Sequence, residues 1–235
     1  MIYQFFLQAA LFLTSFFTPE VNVQKPIITA LNTEVSFEAK VESIYNTLIL
    51  GGSAKPELRS FTKALEGYYQ LQSKGLVKNN VLTIVDFSLS ANKKRMWVID
   101  MTTNTVLLHS LVAHGRNTGD VFANSFSNAA ESYKSSLGFY LTGEVYTGKH
   151  GMSLKLDGLE KGVNDNARNR AVVVHGADYV SDSFIKDHNR IGRSLGCPAV
   201  PVAMTKQLIS LIKNKSCLFI YHPSRDGVTP ANFVS

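Results

Sequence analysis

VVVHGADYVSDSFIKDHNRIGRSLGCPAVP, residues 172–201, opens as a short run of β-branched residues and ends that run in His175-Gly176. β-Branched side chains suit a pleated, packed surface, so the run predicts a strand that delivers a histidine at its end. Twenty-two positions after His175 comes Cys197, inside Ser194-Leu195-Gly196-Cys197-Pro198. Gly196 carries no Cβ, which permits a sharp turn and a close approach to a substrate. A strand-end histidine and a cysteine on a glycine-flanked turn make a candidate thiol–imidazole pair. The imidazole takes the thiol proton, and the resulting ion pair is expected to bring the cysteine pKa to about 3.5–7.5. The N–H groups of Gly196 and Cys197 are candidate donors to a developing oxyanion. Taken singly, a free cysteine is more often a core residue, and a strand-end histidine a structural one. The joint pattern is what points to nucleophilic catalysis.

Outward from this stretch the chain changes period twice. Residues 81–87, 95–100 and 105–113 alternate as strands and predict an antiparallel meander. Further strands are expected at 138–146, 171–175 and 216–221, with helices at 183–188 and 203–213. Gly148 to Met152 reads as a glycine-rich loop that brings His150 near the cleft. Ahead of the strands lie two helical patterns. One is residues 37–50, started by Ser36 and stopped by Gly51-Gly52. The other opens at Pro56 and stops by Gly75. A mainly β domain with a few helices follows. The expected organisation is an N-terminal signal or anchor at 1–24, a helical subdomain at 25–80, a catalytic domain at 81–223 and a tail at 224–235.

The apolar share of 45% is enough for a sizeable core, and the formal charge of +6 comes without a dense Lys/Arg run. Nucleic acid is therefore not the expected partner. Ile2 to Phe17 is almost wholly apolar and shorter than a bilayer span, which fits an export signal, with a retained membrane contact as the alternative. The chain has two cysteines, and the strand-like setting of Cys217 and the turn setting of Cys197 favour two free thiols over a disulfide. Histidines 114, 150, 175 and 188 lack the short ligand spacings of a zinc site, so no metal or other cofactor is expected.

Arg190 and Arg193 flank the approach to Cys197. They suit capture of substrate carboxylates, and equally a loop ion pair. Asp165, Asn166 and Arg168 form a polar loop before the histidine strand, open to gating or to plain loop structure. Ser194 is suited to shaping the cysteine turn by hydrogen bonding.

His175-Gly176 followed by Ser194-Leu195-Gly196-Cys197 resembles the His-Gly…Ser-His-Gly-Cys signature of the YkuD-like L,D-transpeptidases. The resemblance is closer to the murein L,D-transpeptidase catalytic domain branch. VAHGRNTGD (112–120), SSLGFYLTGEVYTGKHG (135–151) and LDGLEKGVNDNARNR (156–170) extend it over residues 81–221. Leu195 stands where the commoner pattern has histidine, and Pro198-Ala199 where it has an aliphatic and a basic residue. The spacing from His175 to Ser194 is also slightly longer.

The resemblance implies a compact β-sandwich or barrel-like domain with the cysteine turn on its lip. It implies Cys197 as nucleophile, His175 as base, and the Gly176 carbonyl as the group that orients the imidazole. Arg193, Arg190, His150 and Ser194 would then contact the substrate. The implied partner is the peptidoglycan stem peptide, as donor and acceptor, in the envelope of an exporting cell. An amine acceptor gives a transpeptidase, and water gives an L,D-carboxypeptidase. A non-catalytic wall-binding module would keep the groove and lose the reactive thiol. A cysteine protease would act on ordinary L,L peptides.

Overall fold

Alternation with no polar face is the local cause of the architecture. In β8 (Cys217–Tyr221) every side chain is buried, with Cys217, Phe219 and Tyr221 in one core and Leu218 and Ile220 in another. β1 (Val81–Asp86) and β2 (Met96–Asp100) divide the same way: Leu82, Ile84, Trp97 and Ile99 face one side, Val85, Met96 and Val98 the other. Successive side chains of a strand point to opposite faces, so such runs need packing partners on both sides. The computed structural model describes residues 36–227 and Phe233. The apolar segment at residues 2–17 lies outside the described residues. Among these no helix is long and apolar enough to cross a membrane.

Eight strands form one sheet. The others are β3 (Thr105–Ser110), β4 (Gly138–Gly148), β5 (Gly151–Gly158), β6 (Val173–Gly176) and β7 (Ala199–Val200). The order is β3-β2-β1-β8-β4-β5-β6-β7, with β1/β8 and β6/β7 parallel and the remaining neighbours antiparallel. Ala113, just past β3, bridges to Ala199 of β7 through Ala113 N–H to Ala199 O at 2.8 Å. The two ends of the sheet therefore meet, and the sheet is nearly closed into a barrel. α4 (Val202–Ile212) sends Leu208, Ile209 and Ile212 into the core with Val174, Val200 and Leu218.

α1 (Phe37–Asn46) and α2 (Leu58–Ser73) cover the other face. Phe61, Leu65, Tyr68 and Leu71 of α2 share a core with Ile84, Trp97, Phe139 and Phe219. Burying a large apolar side chain contributes roughly 1.5–3 kcal/mol, so this face is a main source of stability. A Cβ on Gly67 would lie 2.1 Å from the Phe139 ring, so only glycine lets α2 come this close to β4.

The meander of β1, β2 and β3 and the helices α2, α3 (Asp182–His188) and α4 follow the sequence pattern to within a few residues. Three elements differ. α1 stops at Asn46 where the periodicity predicts helix to Leu50. Residues 47–50 instead run along the β3 edge: Ile49 N–H donates to Asn104 O at 2.9 Å and Val106 N–H to Ile49 O at 2.8 Å. An open sheet edge offers unpaired backbone groups, and this segment satisfies them. The glycine-rich loop at 148–152 is the tip of a hairpin, because β5 pairs with β4 through Gly148 and Gly151. Only Lys149 and His150 form the turn. β7 is two residues between prolines, too short to carry a period.

Candidate active site

β6 places the histidine. Its partner β7 faces it in parallel register, His175 opposite Ala199, and Cys197 precedes Ala199 by two residues. This pairing brings the turn and the strand end into one cleft of about 430 Å³, lined by both His175 and Cys197. His175 is 3% exposed, and its Nδ1 lies 2.9 Å from Gly176 O. A carbonyl only accepts, so Nδ1 carries the proton and Nε2 is left as the basic nitrogen.

The cysteine turn is held from three sides. Ser194 Oγ donates to Cys197 O at 2.6 Å and accepts from Gly196 N–H at 3.0 Å. Ser135 Oγ donates to Gly196 O at 3.1 Å. Ser194 N–H donates to His114 O at 2.9 Å. Gly196 has φ +126°, and a Cβ there would meet Lys134 O at 2.8 Å, so the turn requires glycine. The sequence offers the N–H groups of Gly196 and Cys197 to an oxyanion. The structure engages Gly196 N–H with Ser194, which leaves Cys197 N–H as the donor from this turn.

Val173 N–H points at Cys197 Sγ at 3.4 Å, and the thiol lies 3.7 Å from Ala171 O. Among the described residues no hydrogen bond joins Sγ to the imidazole. Val173 and His175 are two residues apart on β6, about 6–7 Å for an extended chain. Burial pushes the Cys197 thiol above its ordinary value, against the opposing pull of Val173 N–H, Arg170 and Lys149. Burial lowers His175, with His150 and Lys149 acting in the same direction and the Gly176 carbonyl against them. Both shifts favour the uncharged thiol and the uncharged imidazole. Their direction runs against the ion pair expected from the sequence, because burial outweighs the nearby charges.

The other residues singled out by sequence are distributed as follows. His150 lies over His175, ring centroids 4.3 Å apart at 24°, and lines the cleft. Arg193 lines it too, its Nη1 at 3.2 Å from Asp120 and 3.3 Å from Gly119 O. Arg190 does not line it, and its Nε pairs with Asp120 at 3.0 Å. Arg168 pairs with Glu144 and Asp157, and Asp165 accepts from Asn128 at 2.7 Å, so the polar loop is tied down away from the cleft. His114 is buried with Arg95 Nη2 donating to its Nδ1 at 2.8 Å, and burial brings its pKa down to about 4.

Sequence reading missed Arg170, Lys149 and Tyr179, which also line the cleft. Tyr146 and Leu195 form an apolar lip, the latter 55% exposed. Among the described residues lining the cleft none is Asp or Glu. Cys217 is fully buried, and neither cysteine is in a disulfide.

A family model described as the L,D-transpeptidase catalytic domain matches residues 53–221. No curated protein matches the chain. Solved structures that resemble it include the helical cell shape determining protein Pgp2 of Campylobacter jejuni. It is 12% identical, with 67% of this chain and 56% of that chain covered and a TM-score of 0.38. An L,D-transpeptidase from Mycobacterium smegmatis is 11% identical over 61% of this chain and 59% of that one, TM-score 0.37. The L,D-transpeptidase of Enterococcus faecium is 14% identical over 62% and 50%, TM-score 0.37. The chain spans between 48% and 59% of the length of the first solved chains it matches.

Proposed function

Since the chain belongs to the L,D-transpeptidase catalytic domain family, we propose that it cross-links peptidoglycan through an acyl-enzyme on Cys197. His175 Nε2 takes the thiol proton as sulfur attacks the carbonyl carbon of the third residue of a tetrapeptide stem. The C–S bond forms, the C–N bond to the terminal D-alanine breaks, and the imidazolium returns its proton to the leaving amine. A second stem's side-chain amine then attacks the thioester and loses its proton to His175. The new C–N bond forms and the C–S bond breaks, which regenerates the thiol. Cys197 N–H is the turn's donor to the oxyanion in both halves. Neither half requires a metal or a cofactor.

The observation that carries this reading is the shared cleft. Cys197 lines it together with a histidine whose Nδ1 is tied to a carbonyl, leaving Nε2 free to act as base. The charge of the cleft supports the substrate class. Lys149, His150, Arg170 and Arg193 line it without a carboxylate among the lining residues, which suits stems that end in carboxylates. By the same reading the apolar N-terminal segment exports the protein to the envelope, where such stems are found. The test is mass spectrometry of the full chain incubated with disaccharide-tetrapeptide. Loss of D-alanine with formation of dimers is expected. Loss without dimers would make water the acceptor and the protein an L,D-carboxypeptidase, and unchanged substrate would sink both.

A further inference from the structure

Arg170 lies near the end of the run of turns before β6 and lines the same cleft as Cys197. Its Nη1 donates to Ser127 O at 2.8 Å and Ser136 Oγ at 2.6 Å. Its Nη2 donates to Lys134 O at 2.6 Å and Ser132 Oγ at 3.3 Å. All four acceptors are uncharged. A half-buried guanidinium is ordinarily matched with a carboxylate, which cancels its charge. Here the N–H groups are satisfied and the charge is kept, since the charged influences on Arg170 come from Tyr140 and Cys197 and from no Asp or Glu.

The same atoms press on the nucleophile turn. Lys134 O, which accepts from Nη2, lies 2.8 Å from where a Gly196 Cβ would be, and Nη2 itself 3.3 Å. Between them Ser135 Oγ donates to Gly196 O and accepts from Gly115 N–H, each at 3.1 Å. Loop, guanidinium and turn form one packed unit behind the sulfur.

We propose that Arg170 is the positioning residue of the nucleophile. It clamps the loop at 127–136 against the Cys197 turn and holds an uncancelled positive charge beside the sulfur, which stabilises the thiolate as it forms. Other titratable or charged groups line the same cleft: His175 from β6, Lys149 and His150 from the β4–β5 tip, Arg193 from the approach, and the Tyr179 phenol beyond β6. Arg193 shares Asp120, and Lys149 sits on an exposed turn. Arg170 is the cation fixed by four hydrogen bonds. Its charge favours the Cys197 thiolate, opposing the effect of burial. The assignment rests on Cys197 being the nucleophile of the proposed reaction, and its test reads the thiol itself.

The experiment is the rate of Cys197 alkylation by iodoacetamide against pH, in the full chain, for wild type, Arg170→Gln and Arg170→Lys, with muropeptide turnover and melting followed in parallel. Removing the charge is expected to move the alkylation profile up by about one pH unit, roughly tenfold slower labelling at pH 8. Lysine restores the charge, and with it labelling to within about twofold of wild type. A single ammonium does not reproduce a planar fork over four acceptors, so turnover stays down by about tenfold or more. A folded Gln variant with the wild-type profile would overturn the assignment, as would a Lys variant displaced as far as Gln. If the Gln variant does not fold, the Lys variant decides alone: a wild-type profile with impaired turnover supports the proposal, and a displaced profile rejects it. Wild-type protein that alkylates as expected but leaves muropeptides intact sinks the transpeptidase reading instead.

Discussion

Cys197 and Cys217 are one residue type in two opposed settings. Burial raises the thiol pKa of both. At Cys217, in the middle of the sheet and packed among Phe139, Phe219 and Tyr68, burial is the sole influence. At Cys197 it is opposed by a backbone N–H and two cations, on a turn open to a cleft. A buried thiol with nothing to stabilise its anion is inert packing. A buried thiol with donors placed for its anion is suited, on the proposed reaction, to give up its proton to a base.

The largest expected effect separates the two positions outright. Cys197→Ala removes a sulfur from a turn whose shape is set by Ser194 and Ser135, so the melting temperature should stay within a few degrees while muropeptide turnover falls at least about a thousandfold. Retained turnover would end the contrast. Cys217→Ser should do the reverse. A hydroxyl placed in that apolar site without a partner costs about 1–3 kcal/mol, measured by denaturant unfolding, and turnover per folded molecule is unchanged. Loss of turnover in a still-folded Ser variant would contradict the structural role.

The smallest effect is the sharpest. With Cys197 raised above its ordinary value of 9.0, iodoacetamide labelling should climb only in the alkaline range, while Cys217 stays unlabelled until the protein unfolds. His175 is lowered from 6.5, and the base must be neutral, so the acid limb of kcat/KM should lie below pH 6.5. Labelling that is complete by pH 7 would restore the ion pair that the sequence alone suggests.

What could be read from the chain divides along the same line. The strands β1, β2 and β8 are legible because they are short segments dominated by apolar, β-branched and aromatic residues. The parallel pairing of β1 with β8 is not, since the partners are over a hundred residues apart and nothing local selects them. β5 alternates Met152, Leu154 and Leu156 with Ser153, Lys155 and Asp157, a strand pattern passed over because glycines at both ends read as loop. In the site, His175 and Cys197 announce themselves by chemistry and neighbours. Arg170 does not, because its meaning lies in four acceptors on a loop without periodicity. The burial of the thiol is illegible for a related reason: residue types predict attraction between sulfur and imidazole, while burial is a property of the packed whole.

The β4–β5 hairpin has a consequence for how such a protein can change. From Glu144 to Gly148 the outgoing strand is exposed, and the tip that sets His150 over His175 is exposed as well. Its length and composition can drift at little risk to folding, which makes this finger the cheapest place in the molecule to retune selectivity.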